Sequence, residues 1–365
     1  MTLFSIAHLK PLVICRGPVR LEALQVFAQH GITTCGMLLS DKDSAQVPYG
    51  LAPELRVIPP GTQVHHIRDY QCPPVDKAAL LSEIVTICKC YGYDSVFAGY
   101  GFMAEDPELA EAITSNGLMF IGPSASVSAQ AGAKDRARQI AVETQNPIVP
   151  GEHYVLAKAW LWQHNPGLNN WQQHLPAQLQ VMESLGLQLP SLADWIIKQP
   201  KVMIAAHVLL ECGCHCIAEL SERHPDYDLR IKSTMGGGGK GQRIIKRGSS
   251  QNQWRESIEA VWQEVKAGAS TLAKNIVVEL NLPLIRHWEI QLVGNGQWCV
   301  SLGGRDCSVQ RHEQKLIEWS LRQDQLPEHE ALLLAGLEQA AKRFGEAIGL
   351  DSVSTYEAII PVQTP

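Results

Sequence analysis

Apolar runs and amphipathic stretches alternate along the first third of the chain. Residues 11–15 form an apolar run, apolar side chains recur at helical spacing from Leu21 to Phe27, and residues 32–39 form the next apolar run. A strand, a helix and a strand within about thirty residues are typical of a βαβ unit with parallel strands. The same pattern predicts strands at residues 55–58, 95–98 and 118–121 and helices at residues 77–90 and 107–116. The N-terminal part is therefore predicted to be an α/β domain with a parallel sheet.

The pattern changes in the middle of the chain. Residues 125–144 have helical spacing and carry Lys134, and they predict a helical connector that extends to residue 151. Residues 152–226 are rich in glutamine and hold four of the nine tryptophans, which are Trp160, Trp162, Trp171 and Trp195. Such tryptophans are more often core or interface anchors than a ligand cage. We interpret residues 152–226 as a helical insertion that packs on the next domain or mediates association.

The last third is predicted to be mainly strands. They are expected at residues 228–231, 243–245, 276–279 and 354–357, with a helix at residues 254–269. Residues 286–291 alternate between polar and apolar side chains, which separates the two kinds onto opposite faces of a strand. The polar face holds His287, Glu289 and Gln291. Such a face is either simply solvated or part of a site.

Residues 232–243 are the first candidate for chemistry, and they read Lys-Ser-Thr-Met-Gly-Gly-Gly-Gly-Lys-Gly-Gln-Arg. Glycines leave a backbone free to adopt positive φ and to approach a ligand closely. The loop consists of Gly236, Gly237, Gly238, Gly239, Lys240 and Gly241. Its N–H groups can converge on phosphate oxygens, while Lys232, Lys240 and Arg243 supply positive charge. A flexible linker is the alternative, but the flanking strands predict a glycine-tipped hairpin, so we interpret the loop as a nucleotide-phosphate clamp.

Composition sets the class of protein. The chain has 365 residues, of which 45% are hydrophobic and 19% charged, and these are values of a globular protein. The formal net charge of -6 argues against a nucleic-acid partner. The sequence has no apolar run of about 18 residues or more, so no membrane span is expected and a soluble cytoplasmic protein is predicted. The ten cysteines favour reduced, buried thiols over a disulfide framework.

Cys212, Cys214 and Cys216 recur at every second position, with His215 among them and His207 before them. Thiolates and imidazoles are zinc ligands, but zinc sites usually combine Cys pairs from two separated places. Alternation in a strand would send all three thiols to one side. We interpret the stretch as a buried stripe, with a metal site as the alternative.

Four stretches, taken in order, resemble the biotin carboxylases, the ATP-grasp components of biotin-dependent carboxylases such as acetyl-CoA carboxylase. They are residues 99–106 with 120–123 (Gly-Tyr-Gly-Phe-Met-Ala-Glu-Asp and Phe-Ile-Gly-Pro), residues 132–134 (Gly-Ala-Lys), residues 232–243, and residues 305–311 (Arg-Asp-Cys-Ser-Val-Gln-Arg) with Gln314 and Lys315. The resemblance implies an α/β fold in three parts. These are a Rossmann-like pre-ATP-grasp domain at residues 1–124, an ATP-grasp lid at residues 227–278 and a partial ATP-grasp C-terminal lobe at residues 279–365.

The resemblance also implies a site for ATP with Mg²⁺, or with Mn²⁺ in its place. Lys134 matches a lysine that approaches the nucleotide phosphates, which the glycine-rich loop covers. Glu279 and Leu282 match residues that line the adenine pocket, and His287 matches a histidine near the ribose and phosphates. Glu357 matches the glutamate that holds magnesium between the phosphates.

Residues 310–315 imply the reaction. In the resembled family, ATP activates bicarbonate to carboxyphosphate, which carboxylates biotin carried on a partner protein. Bicarbonate and carboxyphosphate are anions, so Gln310, Arg311 and Lys315 are the expected catalytic groups that hold them. The resemblance implies ATP, bicarbonate, a biotin carrier protein and other carboxylase subunits as partners, and a homo-oligomer as in many family members.

Two departures from the family pattern bear on catalysis. Glu313 stands where the family typically has histidine, and a carboxylate beside an anionic substrate is unfavourable. After Glu357 the family continues into a second acidic strand that completes the metal site, whereas this sequence ends at Pro365. A catalytically impaired homologue that binds nucleotide or a carboxylase partner is therefore the main alternative. A ligase that joins a carboxylate to an amine is a third, disfavoured because residues 310–315 are typical of carboxylases.

Overall fold

A computed structural model describes residues 5–15, 17–40, 45–46, 50–51, 53–67, 69–70, 74–99, 101, 103–132, 134–163, 204–233, 241–267, 276–311 and 314–362. The chain forms two compact units. The first consists of Met1–Gly132, Gly294–Trp298 and Gly349–Val353, and the second of Ala133–Val293, Cys299–Ile348 and Ser354–Pro365. None of the described helices is both long and apolar enough to cross a membrane.

The first unit is built on a parallel sheet. Its elements in chain order are β1 (Pro11–Val13), α1 (Val19–Gln29), β2 (Gly36–Ser40), β3 (Ala45–Gln46), β4 (Gly50–Leu51), β5 (Gln63–Ile67), α2 (Pro74–Tyr91), β6 (Ser95–Phe97), α3 (Pro107–Ser115), β7 (Met119–Ile121) and α4 (Ala125–Gly132). The five-stranded sheet has the order β5-β2-β1-β6-β7 with parallel neighbours, while β3 and β4 pair separately as an antiparallel hairpin. The predicted parallel α/β architecture is confirmed.

The continuous apolar runs of this unit reflect burial on both sheet faces. Leu12 and Ile14 point to one side and pack in a cluster with the apolar face of α2 and α3. Val13 and Cys15 point to the other side and pack with Leu24 of α1. Strands covered on both faces need apolar residues at every position.

One sequence prediction for this region is wrong in detail. Residues 55–58 were expected to be a strand, but Pro53–Val57 is a 3₁₀ helix whose Leu55 is buried against the α1 side of the sheet. The strand is β5, whose largely polar sequence suits an edge position with most side chains exposed. The prediction of a helix at residues 125–144 agrees with the described residues, which are helical over Ala125–Gly132 and Lys134–Glu143.

The second unit contains two antiparallel sheets. The elements of the first part are α5 (Lys134–Glu143), β8 (Gly151–Glu152), α6 (Val155–Gln163), α7 (Ala206–Arg223), β9 (Asp228–Ser233), β10 (Gln242–Ile245), α8 (Gln251–Ala267) and β11 (Ile276–Asn281). The sheet order is β10-β9-β11-β8. β9 and β10 pair antiparallel, with Lys232 opposite Gln242, so the strands predicted on either side of the glycine-rich loop form the expected hairpin.

The cysteine stripe lies in helix α7 and not in a strand. Leu209, Cys212, Cys216 and Leu220 are buried in one core cluster with α6 and α8. Their spacing of three and four residues is that of a helix face. Cys214 is buried in the same cluster, and an added Cβ at Gly213 would lie 2.9 Å from the Ile258 side chain, so the buried face of α7 is wider than one stripe.

The second sheet of this part of the chain is made of longer strands. Its elements are β12 (Ile285–Gly294), β13 (Cys299–Arg311), β14 (Gln314–Leu321), α9 (Glu328–Ala347) and β15 (Val353–Pro361), with the sheet order β14-β13-β12-β15. The side chains of Ile290 in β12 and Leu334 in α9 both approach Gly304 of β13. One face of the sheet is therefore covered by α9. Every residue of β14 before Leu321 is exposed, including the apolar Leu316, Ile317 and Trp319.

Candidate functional site

The polar face of the second sheet is set by the alternation of β12. Trp288 and Ile290 are fully buried on the α9 side. His287 and Glu289 therefore project to the opposite face, as the sequence predicts. The backbone N–H of His287 donates to Ser308 Oγ of β13 at 2.9 Å, which holds the two strands together at this point.

Glu289 is the centre of this face. Its side chain is 0% exposed, yet it is ionically paired on both oxygens. Lys315 Nζ donates to Oε1, and Arg305 Nη2 donates to Oε2 at 2.7 Å. Arg305 also pairs with Glu318 at 2.8 Å. Two cations compensate the desolvation of this carboxylate, which a single exposed partner would not do.

Lys315 links Glu289 to the edge strand β15. Its Nζ atom lies 3.1 Å from Glu357 Oε1 in addition to its contact with Glu289. Glu357 Oε1 lies in turn 3.9 Å from His287 Nε2. The Glu289 cluster, as we call it, consists of His287, Glu289, Arg305, Lys315, Glu318 and Glu357.

Gln310 fixes the orientation of His287. Its amide nitrogen is 2.7 Å from His287 Nδ1 and donates to the Cys307 carbonyl oxygen at 2.8 Å. With the amide nitrogen as donor, Nδ1 accepts and the ring proton resides on Nε2, toward Glu357. Burial lowers the pKa of His287, and Lys315 adds to this while Glu357 opposes it, so the neutral ring is favoured.

The donor set of this cluster fits a divalent cation. Candidate ligand atoms of His287, Glu289 and Glu357 lie within 4.8 Å of one another. Because Nδ1 of His287 accepts from Gln310 and Nε2 carries the ring proton, the two carboxylates are the ligands that the cluster offers directly. Carboxylate oxygens suit Mg²⁺ and Mn²⁺. The ammonium of Lys315 already occupies the same carboxylate oxygens, which shows that they attract a cation. Glu289 and Glu357 are thus the groups that could hold a metal ion here, with His287 beside them.

The second candidate region lies on the first sheet, around β8, β9 and β11. Lys232 of β9 pairs with Glu279 of β11 at 2.6 Å, so two predicted site residues are brought together. Glu152 of β8 pairs with Lys158 and, at 2.5 Å, with Arg223. Leu282 packs against the adjoining core cluster.

Arg138 joins these pairs although its role was not predicted from the sequence. Its Nη2 donates to the Val149 carbonyl oxygen at 2.7 Å, and its charge interacts with both Glu279 and Glu152. We call the whole set the Glu152 cluster; it consists of Arg138, Glu152, Lys158, Arg223, Lys232 and Glu279. The buried His153 beside it has its pKa lowered to about 2 by desolvation and by Arg138, Lys232 and Lys158. Burial is the larger cause of this low pKa, and the three neighbouring cations add to it.

Several predicted site residues fall outside the described part of the structure. They are Gly236, Gly237, Gly238, Gly239, Lys240 and the side chain of Lys134, together with Glu313, Trp171 and Trp195. Gly241 is described and has a φ of +71°, a conformation that favours glycine. Arg311 is exposed at the end of β13, opposite Gln314 in the strand pairing. Trp160 and Trp162 are partly buried against the core cluster, which agrees with an anchoring role.

Glu289 and Arg305, like Arg138, are functional candidates that the sequence pattern did not single out. Glu289 was placed on the polar face without a role, and Arg305 was part of a family motif only. The signal was available in the alternation of β12 and in the odd occurrence of a carboxylate inside a strand with buried neighbours. What the pattern could not supply is which strands lie beside β12.

Two known families match the chain. Residues 8–127 match the biotin carboxylase N-terminal domain, and residues 218–350 match the ATP binding domain of the carbamoyl-phosphate synthase L chain. Biotin carboxylase 1 of Bacillus subtilis is 27% identical over 354 residues, which are 96% of this chain and 61% of that protein. The pyruvate carboxylase of Schizosaccharomyces pombe is 30% identical over 254 residues, which are 68% of this chain and 16% of that protein. The chain thus spans less than two thirds of the length of these relatives.

Solved structures agree on the fold. The biotin carboxylase of Campylobacter jejuni superposes with a TM-score of 0.63 at 21% identity, covering 97% of this chain and 62% of that one. The biotin carboxylase domain of the 2-oxoglutarate carboxylase of Hydrogenobacter thermophilus superposes with a TM-score of 0.65 at 21% identity, covering 96% of this chain and 60% of that one. That domain was solved as a dimer in complex with MgADP, ADP and bicarbonate. Because the sequence relatives and the fold agree along nearly the whole chain, the chain belongs to the biotin carboxylase family of ATP-grasp proteins.

Proposed function

We propose that this chain is an ATP-dependent biotin carboxylase component. It binds Mg-ATP and bicarbonate, activates bicarbonate to carboxyphosphate and carboxylates biotin held on a carrier protein. The observation that carries the proposal is the grouping of Lys315 and Gln310 with Glu357 and His287 on one sheet face. This face joins groups that can hold an anion to groups that can hold a metal ion.

The charges of the Glu289 cluster suit phosphoryl transfer to bicarbonate. In that step a bicarbonate oxygen bonds to the γ-phosphorus while the bond between this phosphorus and the ADP oxygen breaks. Two anions must approach each other, so positive charge and hydrogen-bond donors between them lower the barrier. Lys315 lies opposite Gln310 in the pairing of β13 with β14 and can hold bicarbonate by its charge, while Gln310 Oε1 can accept from the bicarbonate O–H. Glu289 and Glu357 would hold a magnesium ion, which supplies neutralisation of phosphate charge when bound.

The Glu152 cluster supports the nucleotide half of the proposal. Lys232 is placed at the start of the glycine-rich loop, where its ammonium can reach phosphate oxygens. Glu279 can accept a hydrogen bond from an adenine amino group, and Leu282 can cover the base. Lys134, the loop glycines and Lys240 remain part of this proposed site.

The proposal is tested by phosphate release from ATP with and without bicarbonate, and then with free biotin added. We expect release to depend on bicarbonate and Mg²⁺, and to fall about 100-fold in Lys315→Gln. Lys342→Gln is the matched control, because Lys342 is an exposed lysine paired only with Glu346 among the described residues. Bicarbonate-independent hydrolysis, or equal rates in the two variants, would contradict the proposal.

One observation favours a second candidate, a catalytically impaired homologue that binds nucleotide or a carboxylase partner. Glu313 stands where the resembled family typically has histidine, two residues before Lys315 in the sequence. This candidate predicts ATP binding without phosphate release on any substrate. Release that requires an amine in place of bicarbonate would instead identify a carboxylate–amine ligase.

The acceptor of the carboxyl group beyond biotin is left open by the proposal. Relatives include pyruvate carboxylases, a urea amidolyase and methylcrotonoyl-CoA carboxylase subunits, at 25–30% identity. A transferase partner would set this choice. The acetyl-CoA carboxylase and fatty acid role implied by the resemblance therefore stays one option among several.

A further inference from the structure

Lys315 occupies the same oxygen atoms that a metal ion would need. Its ammonium contacts Glu289 Oε1 and lies 3.1 Å from Glu357 Oε1. These two carboxylates are also the oxygen donors of the group whose ligand atoms lie within 4.8 Å of one another. An ammonium and a divalent cation cannot both sit between the same pair of carboxylates, because their charges repel at that distance.

Glu289 can change its partner without being left as an uncompensated buried charge. Arg305 holds its other oxygen, Oε2, at 2.7 Å and is itself paired with Glu318. Loss of the Lys315 contact in exchange for a divalent cation would therefore leave Glu289 paired on both sides. Exchange avoids the large cost of an unpaired buried carboxylate, which simple dissociation of Lys315 would incur.

The Lys315 ammonium can also move away from the two carboxylates. It is the second residue of the edge strand β14, and its side chain is 29% exposed. The four-carbon stem of a lysine is flexible. The residue opposite it in the strand pairing is Gln310. A released ammonium thus remains next to the Gln310 amide, where an anion could take the place of the carboxylates.

We infer that Lys315 and a divalent cation exchange at the Glu289–Glu357 pair, and that the released Lys315 ammonium then binds the bicarbonate anion. Metal occupancy and anion capture are thereby coupled through one side chain. The anion half of this inference rests on the proposed function, whereas the exchange at the carboxylates does not. In the absence of metal, Lys315 is neutralised by two carboxylates and is a poor anion ligand.

The exchange is tested by titrating the full chain with Mn²⁺ without nucleotide, using electron paramagnetic resonance to measure free Mn²⁺. Lys315→Gln should bind Mn²⁺ at least tenfold more tightly than the unchanged chain, because the competing ammonium is gone. Arg305→Gln removes a charge from the same carboxylate without vacating Oε1 or Glu357, and should give a smaller gain. Lys342→Gln should give none. A similar gain in Lys315→Gln and Arg305→Gln would reduce the effect to general electrostatics and overturn the exchange, as would an unchanged affinity in Lys315→Gln.

Lys315→Met, which keeps the stem but cannot donate or accept a strong hydrogen bond, is the second variant and should behave like Lys315→Gln. Melting temperatures of all variants show whether each is folded.

The coupling between metal and anion is then measured by bicarbonate titration calorimetry with and without saturating Mg²⁺. We expect bicarbonate to bind at least fivefold more tightly with Mg²⁺, and this dependence should vanish in Lys315→Gln. If Lys315→Gln binds Mn²⁺ more tightly but bicarbonate affinity is the same with and without Mg²⁺, the anion half is wrong while the exchange stands. If both hold but no bicarbonate-dependent phosphate release occurs, only the proposed function fails.

Discussion

The Glu152 and Glu289 clusters use similar residues to reach opposite charge balances. In the Glu152 cluster, the described residues put four cations around two carboxylates, whereas in the Glu289 cluster two cations face three carboxylates and a neutral histidine. The first therefore has room for an anion and the second for a cation. A nucleotide carrying a metal ion needs both, so the difference suits the proposed Mg-ATP ligand.

The largest expected effect tests the buried centre of the Glu289 cluster. Glu289→Ala should lower the free energy of unfolding by about 3 kcal/mol, because two charge-assisted hydrogen bonds of about 1.5–3 kcal/mol each are lost, while Lys315 and Arg305 keep Glu357 and Glu318 as partners. Urea unfolding measures this. Glu346→Gln, which breaks an exposed ion pair of 3.7 Å, is the control and should cost less than about 1 kcal/mol. Equal losses of unfolding free energy in the two variants would mean that the buried ion pairs of Glu289 stabilise the chain no more than an exposed pair does.

The next effect tests whether the two clusters bind different charges. Lys232→Gln should weaken binding of metal-free ATP by about 10- to 100-fold, the value of a charge-assisted hydrogen bond of about 1.5–3 kcal/mol. Lys315→Gln should change this affinity little, because its cluster is already acidic. Calorimetry at fixed ionic strength gives both values. A comparable loss in the two variants would remove the distinction between the clusters.

The smallest effect concerns the pH dependence of stability at the Glu152 cluster. The pKa of His153 is lowered to about 2 in the folded chain, mainly by desolvation, from an unfolded value near 6.5. The unfolded chain then binds the extra proton as the pH falls below 6.5, so stability is present above this pH and decreases toward acid. His153 alone should cost about 1 kcal/mol between pH 7 and pH 5.5. His153→Gln should flatten this part of the unfolding profile, and an unchanged slope would contradict the assignment.

The parallel sheet of the first unit was predictable, whereas its edge was not. β1 and β2 are buried on both faces and so carry apolar runs that identify them. β5 is an edge strand with the sequence Gln-Val-His-His-Ile. Its few apolar residues do not predict a strand, and its backbone pairing with β2 stabilises one. The apolar Leu55 was mistaken for a strand residue because one buried side chain anchors a 3₁₀ turn equally well.

The candidate site was predictable residue by residue but not as an arrangement. Glu279, Lys232, His287, Lys315 and Glu357 were all proposed from the family resemblance. Which of them pair with each other depends on strand neighbours that are far apart in sequence, such as β12 with β15. The double pairing of Lys315 and the central position of Glu289 arise only from that packing.

The exposed edge strand β14 affects how the chain behaves at high concentration. Leu316, Ile317 and Trp319 lie exposed along a strand whose outer backbone groups have no strand partner among the described residues. An open, apolar edge invites another copy to add a strand, and charged residues within it oppose such self-association. The charged residues of this strand are Lys315 and Glu318, so the charge of Lys315 also opposes self-association through β14. Substitutions at this position should therefore be checked by light scattering, and Lys315→Met should aggregate sooner than Lys315→Gln.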